Sequence, residues 1–478
     1  MRMKASVIVL ILLLAILAGC ATYYQKTLRF QEYIMEGQIE KAGQWLEKND
    51  RDKKGKNELL YHMYSGWVSW MKGDYASSNT ALELADLLIE DYRKQVGAEA
   101  LSLISNPGVK PYQAEDFEKV FVNYFKALNY VQIGKYEEAI VEARRITIRL
   151  QQLNSKYKGH KNRYSDDAFA HVIIGMLYES RQDYNNAFIA YRNALEAYDS
   201  IYVRNFDISP PEQLKLDILR TAYMTGFHDE VDYYEKMFGF KYERDTSAGG
   251  ELVFIWQNGF GPVKSEWSIT FTMVPGEAGF VTYTNEEYGF TFPFYIGDRS
   301  PNEQAQLRDL SILRVAFPKY VERVPVFKHA SLLIEDKTYP LELSEDLNQI
   351  AFKTLEDRML REFGNALLRV ATKKALELAV REATKNESKE NKVDIGDIAP
   401  AAVTIINAIT EKADTRNWQT LPHSIFYTRV RLPEGQHKIT FNTFGNQHTG
   451  SQDISIDIRK NRTTFYVFQS LDSHQPGQ

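Results

Sequence analysis

Between Tyr23 and Phe240 glycine, alanine and tyrosine recur in one order, and that order limits this stretch to paired helices. One copy reads Gly175, Tyr178, Tyr184, Ala187, Tyr191 and Ala194; another reads Ala127, Tyr130, Gly134, Tyr136, Ala139, Ala143 and Ile146. A third reads Gly66, Gly73, Tyr75, Leu82 and Ala85, with weaker copies at Tyr33, Gly37, Ala42 and Leu46 and at Ala222, Gly226 and Val231. A small residue in each helix lets two axes approach, a glycine between them supplies the turn, and the following tyrosine packs back over the hairpin. Units of this kind bury their apolar faces only by stacking on neighbours.

In register these copies resemble the tetratricopeptide repeat (TPR), a helix–turn–helix unit of 34 residues. The equivalent turn positions Gly37, Gly73, Gly134, Gln182 and Gly226 are 36, 61, 48 and 44 residues apart. Only the first gap is near the period, so inserts are expected around Asn106–Pro111 and Ser155–Asp166. The expectation is an irregular α-solenoid of four or five hairpins; a plain helical bundle is the alternative. In such repeats the first helix of each pair lines the concave face, which makes Tyr124, Leu128, Val172 and Met176 the candidate partner-binding residues. That face suits a hydrophobic peptide or a docked domain of the same chain, and the sequence leaves both open.

After Phe240 the texture changes. Lys241–Gly250 is polar and ends in paired glycines, as a linker does. Strand-like runs follow at Glu251–Gln257, Trp267–Val274, Gly289–Ile296, Ile312–Pro318 and Arg323–Phe327. They return at Ser424–Leu432, Gln436–Phe444, Ile454–Ile458 and Thr463–Gln469, rich in β-branched and aromatic residues and punctuated by turn formers. Between the two sets, apolar residues keep a helical period from Leu343 to Lys385, and Ala401–Thr410 forms a second apolar run. The closing segments RVRLPEGQHKITF and RKNRTTFYVF resemble the last strands of small β-sandwich modules on bacterial surface proteins. The expected fold class is α+β multidomain: a leader at 1–19, a TPR-like α-solenoid at 20–240, a linker at 241–250, and a β-sandwich-like domain at 251–478 with a long helical insertion at about 343–412.

The N-terminus supplies an address. Arg2 and Lys4 precede an uncharged run, Ala5–Ala18, and then Leu17-Ala18-Gly19-Cys20. A basic start, an apolar core and small residues before the cut are the parts of a signal peptide, and the run is short for a membrane span of ~20 residues. The last four residues resemble a bacterial lipobox. That resemblance implies a lipidated Cys20 at the mature N-terminus and a protein held on a membrane by its acyl chains. Ala21 and Thr22, with no Asp there, resemble the outer-membrane sorting pattern, so the periplasmic face of the outer membrane is expected in a diderm host. The 58 Lys+Arg lose Arg2 and Lys4 with the leader, against 63 Asp+Glu, giving a mature charge near −7.

Composition narrows the chemistry. The chain has one cysteine, so no intrachain disulfide or multi-thiolate zinc site is available. The mild acidity argues against a nucleic-acid partner, which needs clustered Lys and Arg. The nine histidines show no metal-ligand spacing, and Gly259-Phe-Gly261-Pro-Val-Lys264 lacks the spacing of a phosphate loop. No cofactor is expected. Within Ala413–Pro422, Asp414, Arg416 and Trp418 place a carboxylate, a guanidinium and an indole within five residues. They form the candidate ligand-binding group, able to grip a glycan or peptide by stacking and paired hydrogen bonds, or else to plug the seam between helix and sheet. This segment and NGFGPVK at Asn258–Lys264 resemble a family of bacterial repeat-containing envelope lipoproteins to which no reaction is assigned. The expected function is a membrane-anchored, non-enzymatic scaffold or adaptor for envelope proteins. An envelope enzyme or glycan-binding module acting on cell-wall polymer through 413–422, with peptidoglycan as the partner, is the alternative.

Overall fold

The computed structural model describes residues 21–49, 52–94, 108, 110–156, 163–276, 279–287, 290–295, 297, 304, 312–359 and 413–476. The expected leader, Cys20 and most of the expected helical insertion lie outside them. A capping box at Thr22 and Gln25 opens the short helix α1 (Tyr23–Lys26). Among the described residues five helical hairpins follow: α2 (Leu28–Met35) with α3 (Ile39–Lys48), α4 (Glu58–Met71) with α5 (Tyr75–Lys94), α6 (Asp116–Gln132) with α7 (Tyr136–Lys156), α8 (Ala168–Ser180) with α9 (Tyr184–Ala197), and α10 (Glu212–Thr225) with α11 (His228–Phe238).

Each hairpin turns at the expected residue, at Gly37, Gly73, Gly134, Gln182 and Gly226, with φ between 64° and 83°. Gln182 adopts the left-handed conformation without glycine's freedom. The next residue helps it: the Asp183 carboxylate accepts from the Asn186 amide at 3.2 Å and caps α9. Inside the hairpins the closest approach pairs a glycine with a large residue. A Cβ at Gly175 would lie 2.4 Å from the Tyr191 ring, and one at Gly66 would lie 2.6 Å from Leu82. The intervals between α5 and α6 and between α7 and α8, where inserts are expected, lie largely outside the described residues.

Among the described residues the strands form three four-stranded sheets. The first holds β1 (Gly250–Asn258), β9 (Ser424–Leu432), β8 (Glu342–Asp346) and β12 (Thr463–Ser470); β1 runs antiparallel to β9 and parallel to β12. The second holds β6 (His329–Ile334), β7 (Lys337–Pro340), β10 (Gly435–Phe444) and β11 (Thr449–Ile458). The third holds β2 (Val263–Pro275), β3 (Phe280–Asn285), β4 (Phe290–Tyr295) and β5 (Ile312–Val321).

Successive side chains on a strand point to opposite faces, and β1 uses both. Leu252, Phe254 and Trp256 meet the second sheet, against Leu332, Ile439, Phe441 and Ile456. Val253 and Ile255 point the other way, into a cluster shared with the helices. Helices, first sheet and second sheet therefore stack as three layers, and the helical and strand-rich parts share one core.

Several expectations change. Arg323–Phe327 is not a strand; Pro325 makes only an isolated bridge to Ser473. The helix expected from Leu343 begins as strand β8, paired with β9, and turns helical only at 347–359. The β6–β7 hairpin turns at Glu335, with φ 53° and no glycine, which hides it from a search for turn residues. Ala401–Thr410 lies outside the described residues.

Candidate functional site

The first helices of the hairpins face the first sheet. Tyr124, Leu128, Val172 and Met176 are at most 2% exposed, so the candidate partner-binding side chains form the floor of the protein's own core rather than an open groove. The physical reason is that the concave face is apolar and strands β1 and β9 cover it. Phe169 lies 6.2 Å from the Tyr427 ring, and the Gln257 amide donates to the Tyr124 hydroxyl at 3.2 Å.

Polar groups fix this docking in place. The Trp67 indole donates to Gln469 at 2.9 Å, the Tyr64 hydroxyl to the Asn417 carbonyl at 3.0 Å, and the Gln31 amide to Gln419 at 2.8 Å. Arg429 on β9 reaches Glu179 on α8 at 2.6 Å and also binds Glu251 on β1. Arg220 on α10 binds Glu179 at 2.6 Å and Asp217 at 2.5 Å. Burial pushes Glu179 upward, but Arg220 and Arg429 more than reverse this and hold it at about 2. A second bridge joins Lys264 on β2 to Glu115, which also takes Arg358 at 2.5 Å. Burial raises Glu115 as well, and those two cations bring it down to about 2.

Two sites lack such compensation. Arg323 is fully buried and donates to the carbonyls of Gly261 and Gln419 and to Gln31, with its guanidinium 5.0 Å from the Phe260 ring. Burial lowers it to about 10. Glu345 on β8 accepts from the Tyr202 hydroxyl at 2.9 Å, and the same hydroxyl lies 3.5 Å from Asp167. Burial first, and then Asp167, push Glu345 well above the usual carboxylate range.

The group at 413–422 is split. Trp418 is 1% exposed and packs 5.7 Å from Phe125, so it is unavailable to an outside ligand. Arg416 is locked by Asp414 at 2.6 and 2.8 Å, by the Lys56 and Lys110 carbonyls, and by Asn57. The seam-plugging alternative describes these two side chains. Asp414 and Arg416 nevertheless edge a cavity of about 510 Å³, together with Trp45, Asp52, Lys56 and Glu266. Among the described residues no group of three or more His, Cys, Asp or Glu side chains is arranged to hold a metal ion, and no helix is long and apolar enough to cross a membrane.

Neither family models nor curated proteins give a match to the chain. Among solved structures it is similar to the apo form of RapI, with 12% identity over 45% of this chain and 68% of the other, at a TM-score of 0.32. MamA protein shows 15% identity, 44% and 86% coverage and a TM-score of 0.27. BtubC from P. vanneervenii shows 15% identity, 47% and 84% coverage and a TM-score of 0.30. The N-terminal half is a TPR-like helical array. Its five hairpins and their left-handed turns carry that statement, since the overall superpositions are loose.

Sequence reasoning missed Gln31, Gln419, Arg323 and Arg429, the polar residues that join array to sheet. Arg429 carried the one visible signal: in SIFYTRVRL it falls on the strand face that the apolar Ile425 and the aromatic Tyr427 share.

Proposed function

We propose that the protein is a lipid-anchored scaffold of the cell envelope, held by Cys20, non-enzymatic, and binding protein partners through the outer surface of its repeat array. The lipobox-like leader supports the anchor. The observation that carries the binding surface is the last hairpin. A terminal repeat ordinarily turns a polar face outward, yet here Tyr233 is 58% and Met237 50% exposed, with Tyr223, Met224 and Phe227 also exposed nearby. Apolar surface gathered at one end of a soluble body is characteristic of protein contact sites. The concave face is not offered as the partner surface, because the strands occupy it.

A photo-crosslinking residue at Tyr233 in intact envelopes tests this reading. A discrete crosslinked protein is expected from position 233 and not from the exposed polar position Lys48. With the crosslinker kept at 233, Met224→Ser with Met237→Ser should remove that product while leaving thermal melting unchanged. Equal labelling from both positions would sink the proposal. Mass analysis of the mature N-terminus reads the anchor separately, with acyl mass on Cys20 expected and Cys20→Ala soluble.

A further inference from the structure

The cavity beside Arg416 is lined by charged side chains of both signs. It combines the cations Lys26, Lys56 and Arg416 with the carboxylates Asp52, Glu266 and Asp414, so its formal charge is zero. A net anion is disfavoured on geometry. All five N–H groups of Arg416 are taken by protein acceptors, which leaves no guanidinium fork for a phosphate or carboxylate. A purely apolar ligand is disfavoured by the desolvation of the charged and amide groups around it. A neutral group rich in hydroxyls meets both conditions.

The rest of the wall suits such a group. The Asp52 carboxylate accepts from the Asn49 and Asn57 amides, both at 2.6 Å. Glu266 accepts from the Ala413 backbone at 2.7 Å. Each carboxylate oxygen has further lone pairs for a ligand hydroxyl. Trp45 is only partly buried, 5.6 Å from Phe30, and lends an indole to the same wall. An indole offers an apolar ring face to the C–H side of a sugar while carboxylates and amides meet its hydroxyls. The volume falls in the range of small-molecule sites, about 300–1,000 Å³. Ala21 and Thr22 also line the cavity, one and two residues after Cys20. Consecutive Cα atoms are ~3.8 Å apart, so a lipid on Cys20 would hold the mouth against the headgroup layer.

We propose that this cavity binds a saccharide presented at the membrane surface, with Trp45 as the stacking platform and Asp52 and Glu266 as hydroxyl acceptors. Only the placement at the membrane rests on the anchor reading; the ligand class rests on the cavity wall. The sugar has two sources, the headgroup of a glycolipid or a glycan strand of the cell wall.

The test uses the full-length protein purified in a non-sugar detergent. Its probes are tri-N-acetylchitotriose in solution and phosphatidylethanolamine vesicles with and without glucosyldiacylglycerol. Binding of at least one sugar probe is expected, weakened tenfold or more by Glu266→Gln and by Trp45→Ala. Trisaccharide binding points to a glycan strand, and binding confined to the glycolipid vesicles points to a headgroup. Glu266→Gln keeps an acceptor for the Ala413 amide, so it remains informative if Trp45→Ala fails to fold. Absence of binding to both probes overturns the proposal, as does binding that both folded variants leave unchanged. A preparation without acyl mass on Cys20 would remove the anchor reading and leave the sugar test standing.

Discussion

At the scale of single residues, the seam between helices and strands is held by charges taken out of water. Arg429 meets Glu179, Glu251 and Asp217 with its side chain 3% exposed. Removing one partner from such a network strands the others, typically at a cost of about 3–5 kcal/mol. Arg429→Ala is expected to lose that much in urea denaturation. Arg431→Ala, whose side chain is 29% exposed and 3.5 Å from Glu251, should lose less than about 1 kcal/mol. Glu345 works in the opposite sense. Its raised proton affinity means that the folded state holds a proton the unfolded chain gives up, so stability falls as pH rises above the ordinary carboxylate range. Asp167, raised chiefly by burial, adds to the same slope. Tyr164 and Tyr202 bond these carboxyls, and Asp346 lies beside them. Glu345→Gln should flatten the slope, gaining on the parent chain between pH 5 and pH 8 in parallel denaturation series.

At the scale of elements, the hairpins follow their turns. Four of the five use glycine at the left-handed position, while Gln182 bears a strain of about 1 kcal/mol there. Gln182 is exposed, and its side chain has no part in the turn's hydrogen bonding, which runs through backbone and Asp183. Gln182→Gly is therefore expected to raise stability by up to about 1 kcal/mol, read as a higher melting temperature. The array was legible in the sequence because small, turn and aromatic positions recur. The strands at Ser424–Leu432 and Thr463–Ser470 were legible from β-branched and aromatic runs. Strand β8 was not. Its sequence, ELSED, reads as a polar lead-in to a helix, and only pairing with β9 and burial of Ser344 and Glu345 make it a strand.

At the scale of the whole molecule, one apolar cluster runs from Phe30 and Trp67 through Tyr124 and Val172 to Val253, Ile255 and Tyr427. Two halves that share a core should unfold together. A single cooperative transition, coincident for tryptophan fluorescence and far-UV circular dichroism, is expected for the described body. Two separated transitions would show that the halves are independent. The candidate site was half legible for the same reason: the sequence grouped Asp414, Arg416 and Trp418, but the tertiary packing drew Trp418 inward and brought Trp45, Asp52 and Glu266 to the cavity instead.

The sequence by itself determined the repeat spacing, the turn positions and the change from helix to strand near residue 250, because each is written in neighbouring residues a few positions apart. Whether the concave face would be open or filled was decided only in three dimensions. An apolar face accepts a partner peptide and its own sheet on the same terms. What favours the sheet is the matching of Arg429 to Glu179, Trp67 to Gln469 and Tyr64 to Asn417 across more than two hundred residues of chain, a complementarity that no local pattern carries.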